Sequence, residues 1–184
     1  MMGAGKSTVG PLLANQLGLQ WIDLDQIVEE KTGQSIGELW RYSGEVLFRR
    51  LEAEALESLG GEACVVGCGG GVVTYERSKE VLANRGHCVY LRASPEELAA
   101  RIWRGGGAET EKSFSHNFET KAVESRPLLL GVSSEEELKA RLSELLSARE
   151  HLYEDLANFV VDTENRSPQE VAKSIAEWWE QKCR

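Results

Sequence analysis

The stretch that most constrains this chain is its beginning, Met1–Gly10, which reads MMGAGKSTVG. Gly3, Gly5, Lys6 and Ser7 fit the end of the phosphate-cradling pattern G-x-x-x-x-G-K-[ST]. Small residues such as Gly3, Ala4 and Gly5 let successive backbone N–H groups turn inward around a polyphosphate. The residues from Lys6 to Leu17 read as a helix, so its positive dipole end faces the same anion. In such a loop the lysine reaches the β- and γ-phosphates and the hydroxyl of the next residue binds Mg²⁺. The first glycine of the pattern, and the apolar strand that normally feeds it, fall ahead of Met1. Restoring about ten upstream residues is therefore expected to raise stability, because a buried strand brings large apolar side chains at roughly 1.5–3 kcal/mol each.

Beyond the loop, short apolar runs alternate with helical patterns, which indicates a parallel α/β domain. Gln20–Asp23 (QWID), Ala63–Cys68, His87–Arg92 and Phe159–Val161 read as strands. Helices are expected over Gln26–Thr32, Ser35–Ser43, Gly44–Leu59, Thr74–Arg85 and Ser94 to about Arg104. Two more begin at Ser134 and Ser167. Ser94-Pro95-Glu96-Glu97 and Ser134–Glu137 each carry the cap and the glutamate of a capping box, and Ser167-Pro168-Gln169-Glu170 repeats the cap-and-proline start. Residues Gly105–Ser125 are polar, glycine-containing and aperiodic, which suggests a mobile loop.

The content of 41% hydrophobic residues over 184 positions is enough for one domain with a core. A net charge of -9 and a pI near 5.0 argue against a nucleic-acid surface. No apolar run is long enough to span a membrane, and no secretory or transit peptide is visible. The four cysteines (Cys64, Cys68, Cys88, Cys183) match no metal-ligand spacing and read as reduced structural thiols in a reducing compartment.

Several candidate site residues stand at the ends of the expected strands, where ligands bind in open parallel sheets. Asp23 and Asp25 follow the first such strand: one can serve Mg²⁺ through water while the other activates a hydroxyl. Read locally, they are equally an N-cap and a first-turn acid. Gly69-Gly70-Gly71 follows the next strand and allows backbone to approach a ligand. Arg49 and Arg50 lie in GEVLFRRLE beside Glu45 and Glu52, and by composition alone they are solvated helix charges. Arg126 closes the long loop, where an arginine can stabilise transition-state charge.

In this order MMGAGKSTVG, IDLD, GEVLFRRLE, GCGGGVV, RPLL, the ARxxxY segment Ala148–Tyr153 and VDTENRSP resemble the shikimate kinase family over nearly the whole chain. The resemblance implies a three-layer α/β/α phosphate-loop kinase fold whose first, central strand is absent from this chain. It implies a single kinase domain over residues 1–184 with a lid at 105–130. The activity implied is transfer of the γ-phosphoryl of ATP to the 3-hydroxyl of shikimate, in aromatic amino-acid biosynthesis, with Mg²⁺.

The same resemblance implies residue roles. Gly3, Ala4, Gly5, Lys6, Ser7 and Thr8 would hold the phosphates; Ser7 and Asp23 the metal. Asp25 would take the hydroxyl proton, with Lys6 and Arg126 beside the transferred group. Arg49, Arg149 and Gly69–Gly71 would bind shikimate, with Trp40 and Phe48 walling its ring. Arg101 and Arg166 would flank adenine. The partners implied are the two small molecules alone, for a cytoplasmic monomer, or one of the plastid stroma if a transit peptide has been lost. The chain departs from the family pattern in its long loop and in His151, where the family usually has proline. A related kinase for another acceptor such as gluconate, or a kinase-like binding module without turnover, are the competing readings.

Overall fold

The computed structural model describes residues 1–104, 127–129 and 131–182. Helix α1 (Lys6–Leu17) begins at Gly5, whose φ of 95° lies in the left-handed region that suits glycine. It ends on Gly18, and the chain enters β1 (Gln20–Asp23) directly. Helix α2 (Leu24–Thr32) starts two residues earlier than the sequence suggests, because Asp23 caps it by accepting from the Asp25 N–H at 3.1 Å. Helix α3 (Ile36–Glu57) carries a complete capping box between Ser35 and Glu38. Its two expected halves form one element with a kink at Gly44, where φ is 76° and ψ 172°.

Strand β2 (Cys64–Gly67) leads through the glycines into a 3₁₀ turn at Val72–Thr74 and then α4 (Glu76–Arg85). Next come β3 (Val89–Arg92) and α5 (Pro95–Trp103), then α6 (Glu135–Leu156), β4 (Phe159–Asp162) and α7 (Pro168–Lys182). At the expected cap of α7, Ser167 and Glu170 bond in both directions, at 2.8 and 3.2 Å, which makes a full capping box. At Ser94 only the cap half forms, since the Ser94 N–H donates to Glu164 and Glu97 accepts from Arg101. The Glu137 carboxylate likewise accepts from Ser133 rather than Ser134.

The described strands pair in parallel, as expected, but as two pairs: β1 with β2, and β3 with β4. Gln20 stands opposite Cys64 and Asp23 opposite Gly67; Val89 stands opposite Phe159 and Arg92 opposite Asp162. Between the pairs runs a groove of about 1190 Å³, lined by residues of β2 and β3 and reaching Lys6, Gly69, Gly70 and Tyr153. Arg92 grips Asp162 with two hydrogen bonds of 2.7 and 2.9 Å, closing the carboxyl ends of β3 and β4.

The core lies between helices and strands. Leu24 of α2, Leu98 and Ile102 of α5, and Leu138 and Leu142 of α6 are fully buried. In α6, Leu138, Leu142 and Leu146 recur every four residues, and the same helix carries Tyr153 inward. Cys64, Cys68 and Cys88 are free thiols. Burial pushes the Cys68 thiol up to about 12, so it stays protonated and packs as a small apolar group. Among the described residues no helix is long and apolar enough to cross a membrane.

Candidate active site

The site assembles where three elements end near the start of α1: β1, β2 and α6. Ser7 and Thr8 are exposed on the first turn of α1, while Lys6 is half-buried and donates to the Met1 carbonyl at 3.0 Å. The helix start thus offers N–H groups and hydroxyls to the outside, with the lysine turned back over the loop.

At the end of β1, Asp25 is largely buried, and its Oδ1 has no hydrogen-bond partner among the described residues. Burial above all, then the Asp23 and Glu29 carboxylates, push its carboxyl up; Lys6 and Arg49 pull it back. An orphaned acceptor flanked by two cations is poised to take a proton from a donor. Asp23 serves as the α2 cap, which is the local reading of D-L-D.

Arg49 is 6% exposed and is no solvated helix charge. Its guanidinium donates to Glu52 at 2.8 Å and to Glu45 at 3.2–3.3 Å. It also lies 5.3 Å from the Trp40 ring centre and 5.1 Å from that of Phe48, over faces that favour a cation. The aromatic pair therefore walls the arginine. Arg50, its neighbour, is the exposed charge, paired with Glu54.

The glycines after β2 fit between these groups. A side chain on Gly69 would strike Glu52 and approach Asp25, and one on Gly71 would overlap the Arg49 guanidinium. Gly71 has an ordinary φ of -98°, so what requires glycine there is the close approach of Arg49. From α6, Arg149 is half-buried and has no carboxylate partner among the described residues. Burial above all, then Lys6 and Arg149, holds the pKa of the Met1 amine well below its usual value, which puts the two cations in one neighbourhood.

Arg101 and Arg166 lie elsewhere, at the β4–α7 turn. Arg101 donates to the Thr163 hydroxyl and carbonyl at 2.9 and 2.8 Å and to Glu97. Arg166 donates to the Asp162 and Glu170 carbonyls and the Ser174 hydroxyl. Each is thus anchored by three hydrogen bonds beside Thr163 or Ser174. Arg126 and residues 105–126 of the expected lid lie outside the described residues.

Glu52 and Tyr153 are the members that sequence reasoning noted without assigning them a part. Glu52 is fully buried, and its second oxygen lacks a partner among the described residues. Burial pushes its carboxyl up against the pull of Arg49. The signal was its place three residues after Arg49, on the same helix face. Tyr153 follows Arg149 by one turn in the same way.

The family model described as Shikimate kinase matches residues 2–180. The chain belongs to the shikimate kinase family. It is 36% identical to the shikimate kinase of Enterococcus faecalis over 174 residues, 95% of this chain and 91% of that one. It is 39% identical to the shikimate kinase of Geobacter sulfurreducens over 176 residues, 95% of this chain and 84% of the other.

Among solved structures, the shikimate kinase of Acinetobacter baumannii in complex with shikimate superposes with a TM-score of 0.81 at 32% identity, covering 100% of this chain and 91% of that one. The enzyme from Bacteroides thetaiotaomicron gives 0.78 at 28% identity, covering 98% and 94%. Members of the family are ATP-dependent kinases with the phosphate-loop kinase fold, and this chain shares that architecture.

Proposed function

We propose that the chain phosphorylates the 3-hydroxyl of shikimate with ATP, releasing shikimate 3-phosphate and ADP. The observation that carries the proposal is the convergence of Asp25, Arg49 and Gly69–Gly71 at the strand ends beside Lys6.

In this reading the amides of Gly3–Thr8 and the Lys6 ammonium hold the β- and γ-phosphates. Arg101 and Arg166 offer guanidinium faces to adenine. Arg49 and Arg149 take the shikimate carboxylate, for which forked planar donors are suited. Trp40 and Phe48 keep Arg49 desolvated, which strengthens that contact. Gly69–Gly71 bring backbone against the ring. Asp25 hydrogen-bonds the 3-hydroxyl and accepts its proton as the oxygen attacks the γ-phosphorus. Lys6 and Arg126 stabilise the charge on the phosphoryl oxygens.

The donors present fit Mg²⁺. The exposed Ser7 hydroxyl and the Asp23 carboxylate are hard oxygens, and among the described residues no cluster of three His, Cys, Asp or Glu competes as an all-protein metal cage. Ser7 would bind the ion directly and Asp23 through water; when bound, it neutralises phosphate charge. The whole of residues 1–184 acts as one kinase domain, with 105–130 as its lid.

ADP release measured with shikimate, gluconate and nucleoside monophosphates as acceptors tests the reading. Turnover with shikimate and little with the others is expected. Preference for another acceptor would reassign the substrate, and binding of ATP without turnover on any would leave a binding module.

A further inference from the structure

The glycine turn and Arg149 come from different parts of the chain, so something must set the distance between them. The three carbonyls of the turn show what does. Gly69 O accepts from the Val72 N–H at 3.2 Å, and Gly71 O accepts from the Thr74 N–H at 2.9 Å and its hydroxyl at 2.7 Å. All three bonds stay within the turn. Gly70 O instead accepts from the Tyr153 hydroxyl on α6, at 2.5 Å.

The Tyr153 ring is held independently of that bond. It is 7% exposed and stacks on Tyr90 of β3, with centroids 5.0 Å apart and planes 25° from parallel. The Tyr90 hydroxyl is buried without a partner among the described residues, so the stack uses rings alone. The Met1 sulfur lies 3.6 Å from the Tyr153 hydroxyl and completes its enclosure. Arg149 is one helical turn before Tyr153, on the same face of α6. Burial pushes the Tyr153 phenol up while the adjacent Arg149 pulls it back, so the hydroxyl keeps its proton for donation at neutral pH.

We propose, building on the kinase reading above, that Tyr153 is a positioning residue for the acceptor half of the site: its hydroxyl pins the Gly70 carbonyl to α6 and so fixes the glycine turn relative to Arg149. A trans peptide carries its N–H opposite its carbonyl. With the Gly70 carbonyl drawn toward α6, the Gly71 N–H is aimed away from α6, as a donor for a ligand. One bond thus sets both the direction of a backbone donor and the spacing from that donor to the guanidinium. The arrangement meets the nucleotide half at Met1, whose sulfur lies against the Tyr153 hydroxyl and whose carbonyl accepts from Lys6.

Tyr153→Phe removes the hydroxyl and keeps the stacked ring. Kinetics in both substrates, calorimetric shikimate binding and thermal melting are compared for the parent, Tyr153→Phe and Tyr90→Phe. Losing one hydrogen bond corresponds to about a 3- to 10-fold rise in shikimate KM and Kd. The kcat and the ATP KM should stay within about twofold, and the melting temperature within about 4 °C. Tyr90→Phe should match the parent throughout. Unchanged shikimate binding in Tyr153→Phe would overturn the proposal. So would a parallel loss for ATP and shikimate with early melting, or the same shikimate defect in Tyr90→Phe. A parent that binds neither shikimate nor ATP would instead fail the kinase reading itself, and this inference with it.

Discussion

The Arg49 guanidinium donates to Glu52 Oε2 at 2.8 Å, and both side chains are withdrawn from solvent, at 7% and 0% exposure. A buried pair of this kind contributes little net stability over an apolar pair, yet removing one partner strands the other charge. Its use is positional: Glu52 spends one oxygen on the guanidinium, and the aromatic rings of Trp40 and Phe48 confine it further. Arg49→Ala should therefore lose roughly 3–5 kcal/mol of stability, because Glu52 is left buried and unpaired. Arg49→Lys keeps the charge but not the fork. It should fold and raise the shikimate KM by about 10- to 100-fold with the ATP KM unchanged. Steady-state kinetics beside thermal melts check both statements; normal shikimate kinetics in Arg49→Lys would remove Arg49 from the substrate site.

Gly71→Ala is the complementary test, made from the backbone side. The new methyl would overlap the Arg49 guanidinium, the far end of a flexible side chain, while φ at this position suits any residue. The protein should fold but melt below the parent, because displacing the guanidinium loosens its pair with the buried Glu52. The shikimate KM should rise by at least about tenfold. Unaltered kinetics would mean that the guanidinium is free to move aside without consequence.

In the proposed mechanism Asp25 takes the hydroxyl proton, and its carboxyl is pushed up by burial and by Asp23. Asp25→Asn should lower kcat by about 10²- to 10⁴-fold with little change in ATP binding. For the parent, kcat should fall on the acid side as pH drops through this raised value, above the usual aspartate range. The sign for stability is opposite to that of an ordinary paired carboxylate. A raised folded-state value means the ionised form is penalised in the fold, so its cost is absent below the unfolded value and present above the folded one. Asp25→Asn should thus melt no lower than the parent at pH 7, and the difference should vanish as the parent protonates. Melting curves and pH–rate profiles decide it; an Asn variant with full turnover would deny Asp25 its role.

Lys6→Ala should act on the other half of the site. Loss of its contact with the β- and γ-phosphates is expected to weaken ATP binding and cut kcat by about 10²-fold or more. Shikimate binding, measured by calorimetry without nucleotide, should change less than threefold, a figure on the order of 0.6 kcal/mol.

What could be read from the sequence was local. The start of α1, the end of β1, the Gly44 break and the Ser167 cap follow from single residues and their nearest neighbours, and these stand as read. The roles given to Arg49 and Arg149 needed a family resemblance, because local chemistry alone assigns Arg49 to solvent. Its burial depends on Trp40 and Phe48 folding across it, and on Glu52 meeting Gly69 from a strand end 17 residues away. The grouping of the strands into two pairs was hidden for the same reason, since parallel pairing joins segments distant in sequence and no local pattern records it. Tyr153 stood in the ARxxxY segment, but its hydrogen bond reaches across 83 positions.

The measurement that bears most directly on the account is the identity of the product. The chain incubated with ATP, Mg²⁺ and shikimate, followed by phosphorus and proton NMR, should yield ADP and a single phosphomonoester on the 3-oxygen of shikimate. ATP consumed with shikimate unmodified, or phosphate on a different oxygen, would contradict the placement of Asp25, Arg49 and the glycine turn around one acceptor.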